Sequence, residues 1–288
     1  MLKQPMGQHR PARSTNRRSQ EMIRAHYQVE KALARRLRDA LPEERRVLYS
    51  SLYDELYRRV PQHPQLTRKS SPSEVQQAVE AQLSFLSRFL DKAHTFLEIG
   101  PGDCALSFEL AGRVRRVYAV DVSDAITRHA TRPENFELFL SDGSSVPVPP
   151  GCVNVAYSNQ LMEHLHPDDA WQQLRNIYEA LAAGGHYVCI TPNRLSGPHD
   201  VSKYFDDVAT GLHLKEYTTI ELQRLFRQVG FSRVTVYIGA RGRYLRCPLS
   251  LVGACERLLE GLPHAWRKAL VRGGAVGAVL GIRLVGTK

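Results

Sequence analysis

From Thr95 to Ile238 short apolar runs alternate with amphipathic stretches, and this alternation constrains the fold more than any other feature. Thr95–Ile99, Arg116–Val120, Phe136–Leu140, Val153–Ser158, His186–Thr191 and Arg233–Ile238 read as strands. The spacing between them predicts helices over Cys104–Gly112, Ala125–Ala130, Asp168–Ala182 and Thr219–Gln228, with Gly184-Gly185 ending the third. A continuous apolar run such as His186–Thr191 needs cover on both faces. Strand–helix repetition of this kind gives an open α/β sheet with right-handed crossovers.

The flanks follow other rules. Residues 1–19 are polar, basic and aperiodic, and are expected to form a disordered tail. Helix formers fill Glu21 to Arg59 with a break near Leu41-Pro42. Ser71-Pro72-Ser73-Glu74 reads as a capped helix start, with the helix running to about Leu90. Pro248–Val271 reads as one or two amphipathic helices interrupted at Pro263, and Ala278–Gly286 as a last strand. The expected organisation is a tail (1–19), an N-terminal helical extension (20–92), a core (93–240), and a basic helical insertion with a final strand (241–288).

Charge separates the same regions. Residues 1–72 hold 16 Lys/Arg against 7 Asp/Glu, residues 240–288 hold 9 against 2, and the middle is net −6. Basic ends suit nucleic acid, an anionic membrane surface, a phosphorylated substrate or simply solvent. No run of eighteen apolar residues predicts a transmembrane helix, and no apolar stretch follows the basic N-terminus as in a secretory signal. Cys104, Cys152, Cys189, Cys247 and Cys255 form no CxxC pair, which argues against structural zinc or a disulfide framework. They suit a reducing cytoplasm and read as small buried hydrophobes. The expected location is cytoplasmic, with peripheral contact at the inner membrane surface as an extension of it.

The chemistry concentrates at Glu98-Ile99-Gly100-Pro101-Gly102-Asp103-Cys104, between a strand and a helix. Glycines there let backbone approach a ligand, and helix amides face it. Asp121 ends the next strand, 19 residues after Gly102, where a carboxylate reaches both ribose hydroxyls of a nucleoside. Gly100-x-Gly102-x-x-Ala105 also fits the dinucleotide fingerprint. Glu98 separates the two cofactors. A carboxylate beside a pyrophosphate is unfavourable, whereas the ammonium of a methionine moiety welcomes it. Glu98 therefore favours S-adenosylmethionine (SAM) over NAD.

With these residues in place, 95–238, about half the chain, resembles the class I SAM-dependent methyltransferase family. LEIGPGDC is similar to its motif E/D-x-G-x-G-x-G, with Cys104 in place of the third glycine. Asp121, Asp142-Gly143, the stretch AYSNQLMEHL and the turn LAAGG match its later motifs in order. The resemblance implies a Rossmann-like, seven-stranded, mostly parallel sheet whose last strand is antiparallel. It implies SAM as methyl donor and S-adenosylhomocysteine (SAH) as product. The implied cofactor residues are Glu98 on the methionine ammonium, Gly100 and Gly102 beneath methionine and ribose, Asp121 with Val122 at the ribose, Asp142 with Gly143 at the adenine, and Asn159.

Methyl transfer is an in-line displacement, so the acceptor is expected above strands four and five, among Asn159, Gln160, Glu163, His164, Asn193, His199, Tyr204 and His213. His164 and His213 are the candidates for base or substrate orientation. QLMEH followed by His213 is similar to the E-x-x-E-H plus histidine pattern with which some family branches hold a divalent ion. Gln160 replaces the first acid, which favours a hydrogen-bonded His164 over a ligating one. His199–Lys215 is expected to form a lid over the substrate. Arg241, Arg243, Arg246, Arg257, Arg267, Lys268 and Arg272, interleaved with leucines, suit either a cap packed on the core or an anionic membrane surface. The expected function is methyl transfer to a small molecule, glycan or lipid precursor. The alternatives are a nucleic-acid methyltransferase and a non-catalytic cofactor-binding scaffold.

Overall fold

The computed structural model describes residues 18–67, 71–124, 127, 128, 130–240, 242–272 and 274–288. Most of the expected basic tail, and half of the stretch Ala125–Ala130 expected as a helix, lie outside them; the described Thr127, Arg128 and Ala130 form turn and bend in place of a helix. The chain opens with α1 (Gln20–Asp39), α2 (Pro42–Arg59), the single turn α3 (Pro64–Thr67) and α4 (Pro72–Leu86). Ser71 caps α4: its hydroxyl accepts from the Glu74 amide and the Glu74 carboxylate accepts from the Ser71 amide.

Next come β1 (Thr95–Ile99), α5 (Ala105–Ala111), β2 (Arg116–Asp121), β3 (Phe136–Leu140), β4 (Val153–Asn159), α6 (Pro167–Ala180), β5 (Leu181–Thr191) and α7 (Thr219–Val229). The chain closes with β6 (Arg233–Ala240), β7 (Arg243–Cys247), α8 (Leu249–Glu260), α9 (His264–Arg272), α10 (Gly274–Leu280) and β8 (Ile282–Thr287). Strand order is β3-β2-β1-β4-β5-β8-β6-β7. The first five strands are mutually parallel, and β8 runs antiparallel between β5 and β6. This is the expected mixed sheet with eight strands in place of seven. The extra strand, β7, occupies part of the basic stretch read as helical. Ala240 and Arg243 pair across a two-residue link, and Gly242 at φ +80° permits the reversal. The glycines expected to end α6 lie inside β5, past its true end at Ala180, where the pairing with β4 shifts register.

Side chains alternate across the sheet. Leu97, Ile99, Tyr118, Val120, Tyr187 and Cys189 join one core that also contains Leu33, Leu37, Leu52 and Leu56 of α1 and α2. Phe96, Val117, Ala119, Val155, Tyr157 and Val188 join the other with α4 and α5. The N-terminal helices thus bury their apolar faces in the same core as the sheet. A bidentate pair between Arg45 and Asp169 (2.6 and 2.8 Å) fixes α2 to α6, and the Tyr49 hydroxyl donates to the same carboxylate. At the other end, buried Glu256 on α8 accepts from the Thr219 and Ile220 amides at the start of α7, where the helix dipole favours an anion. That contact docks the C-terminal insertion as a cap on the core. Cys104 and Cys189 are buried as expected; Cys255 is exposed. No described helix is long and apolar enough to cross a membrane.

Candidate active site

Strand order reverses between β1 and β4, and open α/β sheets bind ligands at such a switch point, outside the carboxyl ends of the strands. The turn leaving β1 lies there. Gly100 (φ +69°) and Gly102 (φ +59°) adopt left-handed backbone, and so does Cys104 (φ +58°), immediately before α5. A Cβ at Gly102 would meet no protein atom within 4 Å, so the turn presents bare backbone to open space. Asp121 organises this turn. Its carboxylate accepts from the amides of Val122 (2.7 Å), Gly102 (3.3 Å) and Ser123 (3.4 Å).

Glu98 shares its sheet face with α5 and accepts a 2.6 Å hydrogen bond from Ser107. Burial pushes its carboxyl up to about 8 against that bond, and the charges of Asp103 and Asp121 add to the rise. Burial also raises Asp121 above the usual carboxylate range. Burial and the neighbouring Asp103 and Asp121 disfavour ionisation of Glu98, and a cation beside it would relieve that cost where a pyrophosphate would add to it.

Asp142 and Gly143 follow β3, against α2. Burial disfavours the Asp142 carboxylate, but hydrogen bonds from Ser145 and Ser144 outweigh it and leave the carboxyl below its usual value. Arg46 pairs with its other oxygen at 3.4 Å. Gly143 (φ +95°) sits under the Tyr49 ring, which a Cβ would meet at 2.5 Å. Asn159 is exposed at the end of β4, and Gln160 follows it in left-handed conformation.

His164 and His213, 49 positions apart, meet with ring centroids 4.8 Å apart. The Leu212 carbonyl accepts from His164 Nδ1 (3.1 Å), so Nδ1 carries the proton and Nε2 the lone pair. Burial lowers the affinity of His164 for a second proton. Burial opposes the charged form of His213 too, but its 2.7 Å bond to Glu216 and the nearby Glu163 charge prevail and raise it. Glu163 is fully buried; Oε2 accepts from Thr191 (2.8 Å) and Oε1 has no hydrogen-bond partner. Donor atoms of Glu163, His164 and His213 lie within 4.8 Å of one another, and the orphaned oxygen fits a divalent ion among them.

Both histidines line a cavity of about 260 Å³, together with His199 and Tyr204. Asn193 faces elsewhere, its amide held by Glu256. The segment expected as a lid is a packed wall: Val201, Ser202 and His213 are buried, and Arg38 of α1 donates to the carbonyls of Thr210, Gly211 and His213. The roof was absent from the sequence reading. It consists of Arg18, His26 and Glu30 at the start of the chain and Tyr53 and His63 further on. Tyr53 reaches His164 Nδ1 at 3.3 Å. The i, i+4 spacing of His26 and Glu30, which puts both on one helix face, was the available signal.

A sheet of this order with a glycine turn at its switch point defines an open α/β fold that binds ligands at the carboxyl ends of its strands. A family model described as a methyltransferase domain matches residues 72–236, more than half of the chain, and the protein belongs to that family. It is a SAM-dependent methyltransferase. Similar solved structures agree in fold. The phosphoethanolamine N-methyltransferase 1 of Haemonchus contortus, solved with phosphoethanolamine and SAH, is 14% identical with a TM-score of 0.53, over 86% of this chain and 50% of that one. A SAM-dependent methyltransferase of Thermotoga maritima is 15% identical with a TM-score of 0.50, over 74% and 91%. A Haloferax volcanii complex of the Trm112 activator with a methyltransferase gives 15% and 0.50, over 75% and 92%. A search of curated protein sequences returned no match.

Proposed function

We propose that this enzyme methylates a small molecule, or a small polar group of a glycan or lipid precursor, held in the histidine-lined cavity. The observation that carries the reading is the cavity itself. At about 260 Å³, with α1 and α2 across its roof, it suits one sugar-sized or amine-sized group. Glu98 holds the methionine ammonium, Gly100 and Gly102 pass beneath methionine and ribose, Asp121 with Val122 holds the ribose, Asp142 with Gly143 meets the adenine, and Asn159 is a further cofactor contact from the end of β4. Bound SAM supplies an electrophilic methyl carbon. His164 and His213 orient the acceptor and take its proton: each has Nδ1 committed to a neighbour, which leaves Nε2 as the basic nitrogen. A divalent ion between Glu163, His164 and His213 would acidify an acceptor hydroxyl when bound.

The test is SAH release from SAM across a panel of amines, sugars, lipid-linked glycans and RNA. Turnover is expected with a small polar acceptor and to be insensitive to moderate salt. Turnover on RNA alone, collapsing as salt rises, would replace this reading with the nucleic-acid one.

A second reading concerns location. Leu251, Leu258, Trp266 and Leu270 of α8 and α9 are 60, 74, 69 and 47% exposed, beside Arg257 and Lys268. Apolar and cationic groups so arranged suit an anionic lipid surface. The protein is expected to sediment with anionic vesicles at low salt and to lose most of that binding on Leu258→Glu with Trp266→Glu. Equal recovery with neutral vesicles removes the proposal.

A further inference from the structure

The cavity roof contains a second cluster that the methyl-transfer chemistry leaves unused. His26, Glu30 and His63 are 3, 6 and 8% exposed. They converge on one oxygen: Glu30 Oε1 lies 2.7 Å from His26 Nε2 and 3.7 Å from His63 Nε2. The His26 and His63 rings meet edge to face at 4.7 Å. The donor atoms of all three residues lie within 4.8 Å of one another.

Arg18 donates to His26 Nδ1 at 2.8 Å, so that nitrogen accepts and the Nε2 proton points at the Glu30 carboxylate. The other oxygen, Oε2, accepts a 3.3 Å bond from the Leu212 amide. A buried anion faced by two imidazoles is the donor set of a two-histidine, one-carboxylate metal site.

We propose that His26, Glu30 and His63 bind a first-row divalent transition-metal ion, such as Zn²⁺ or Co²⁺, in the roof of the cavity. On binding, the His26 proton moves from Nε2 to Nδ1 and Arg18 gives up its bond to that nitrogen, so that the Nε2 lone pair meets the ion; the three donors leave coordination positions open. His26, Glu30 and His63 line the same cavity as His164 and His213. Leu212 joins the two sides: its amide donates to Glu30 and its carbonyl accepts from His164. If the cavity holds the acceptor, as proposed above, an oxygen of the acceptor completes the coordination. The metal site itself stands without that reading.

The experiment uses the full chain, stripped with chelator and titrated with Co²⁺, read by the visible absorption of the ion and by calorimetry. One equivalent is expected to bind tightly. His26→Ala and the milder His63→Asn are each expected to weaken it at least 100-fold, with SAM affinity and thermal midpoint kept as the control for folding. Glu163→Gln is expected to leave the equivalent that depends on the roof histidines within threefold, whether or not a second equivalent binds at Glu163. No tight equivalent in the wild-type protein overturns the proposal. So does a titration in which neither roof substitution removes an equivalent, or one in which every equivalent is lost with Glu163→Gln, which would place the ion on the His164 side.

Discussion

Replacing Asp121 with alanine is expected to weaken both SAM and SAH at least 100-fold, about 2.7 kcal/mol of binding free energy. The effect has two sources. The carboxylate ends β2 beside the glycine turn, where the ribose hydroxyls of the proposed cofactor pose would donate to it. It also holds the glycine turn through the Gly102 amide and the following chain through Val122 and Ser123. Alanine removes both. Asparagine keeps one oxygen for Val122 but turns an amide toward the Gly102 N–H, so it is expected to recover only part of the loss. Calorimetry with each ligand reads the result, and unchanged affinity in Asp121→Ala would remove the ribose assignment.

The largest stability effect is expected at Asp169. Arg45 is 3% exposed, and its guanidinium makes its bidentate pair with this carboxylate; Tyr49 donates to it as well. Asp169→Ala leaves a buried cation and a buried hydroxyl without their acceptor, a loss of about 3–5 kcal/mol. The urea midpoint should fall accordingly. Pairing Asp169→Leu with Arg45→Met removes both charges, and is expected to restore most of the stability. Cofactor affinity should fall with Asp169→Ala too, because α2 carries Tyr49 over Gly143 and Arg46 beside Asp142. A loss below about 1 kcal/mol would show that α2 is held by its apolar face alone.

The central strands were legible because their information is local. β1 and β3 occupy the predicted residues, and β2 and β4 each extend one residue further. An apolar run covered on both faces reads as a strand wherever its neighbours lie. Strand β7 was not legible. Arg243 and Arg246 lie exposed on an edge strand, where side-chain polarity carries little strand signal, and their basic character suggested a helix face instead.

By itself the sequence determined the glycine turn proposed to hold the methyl donor. Glu98, the glycines and Asp121 fall within 24 consecutive residues, because a strand, a turn, a helix and the next strand bring them together through short-range geometry. Only the tertiary structure decided the cavity proposed for the acceptor. Glu30 meets the Leu212 amide across 182 positions, and Tyr53 meets His164 across 111. No periodicity encodes such a meeting. It depends on α1 and α2 burying Leu33, Leu37, Leu52 and Leu56 against the sheet, which sets their polar face over the cavity as a consequence of packing.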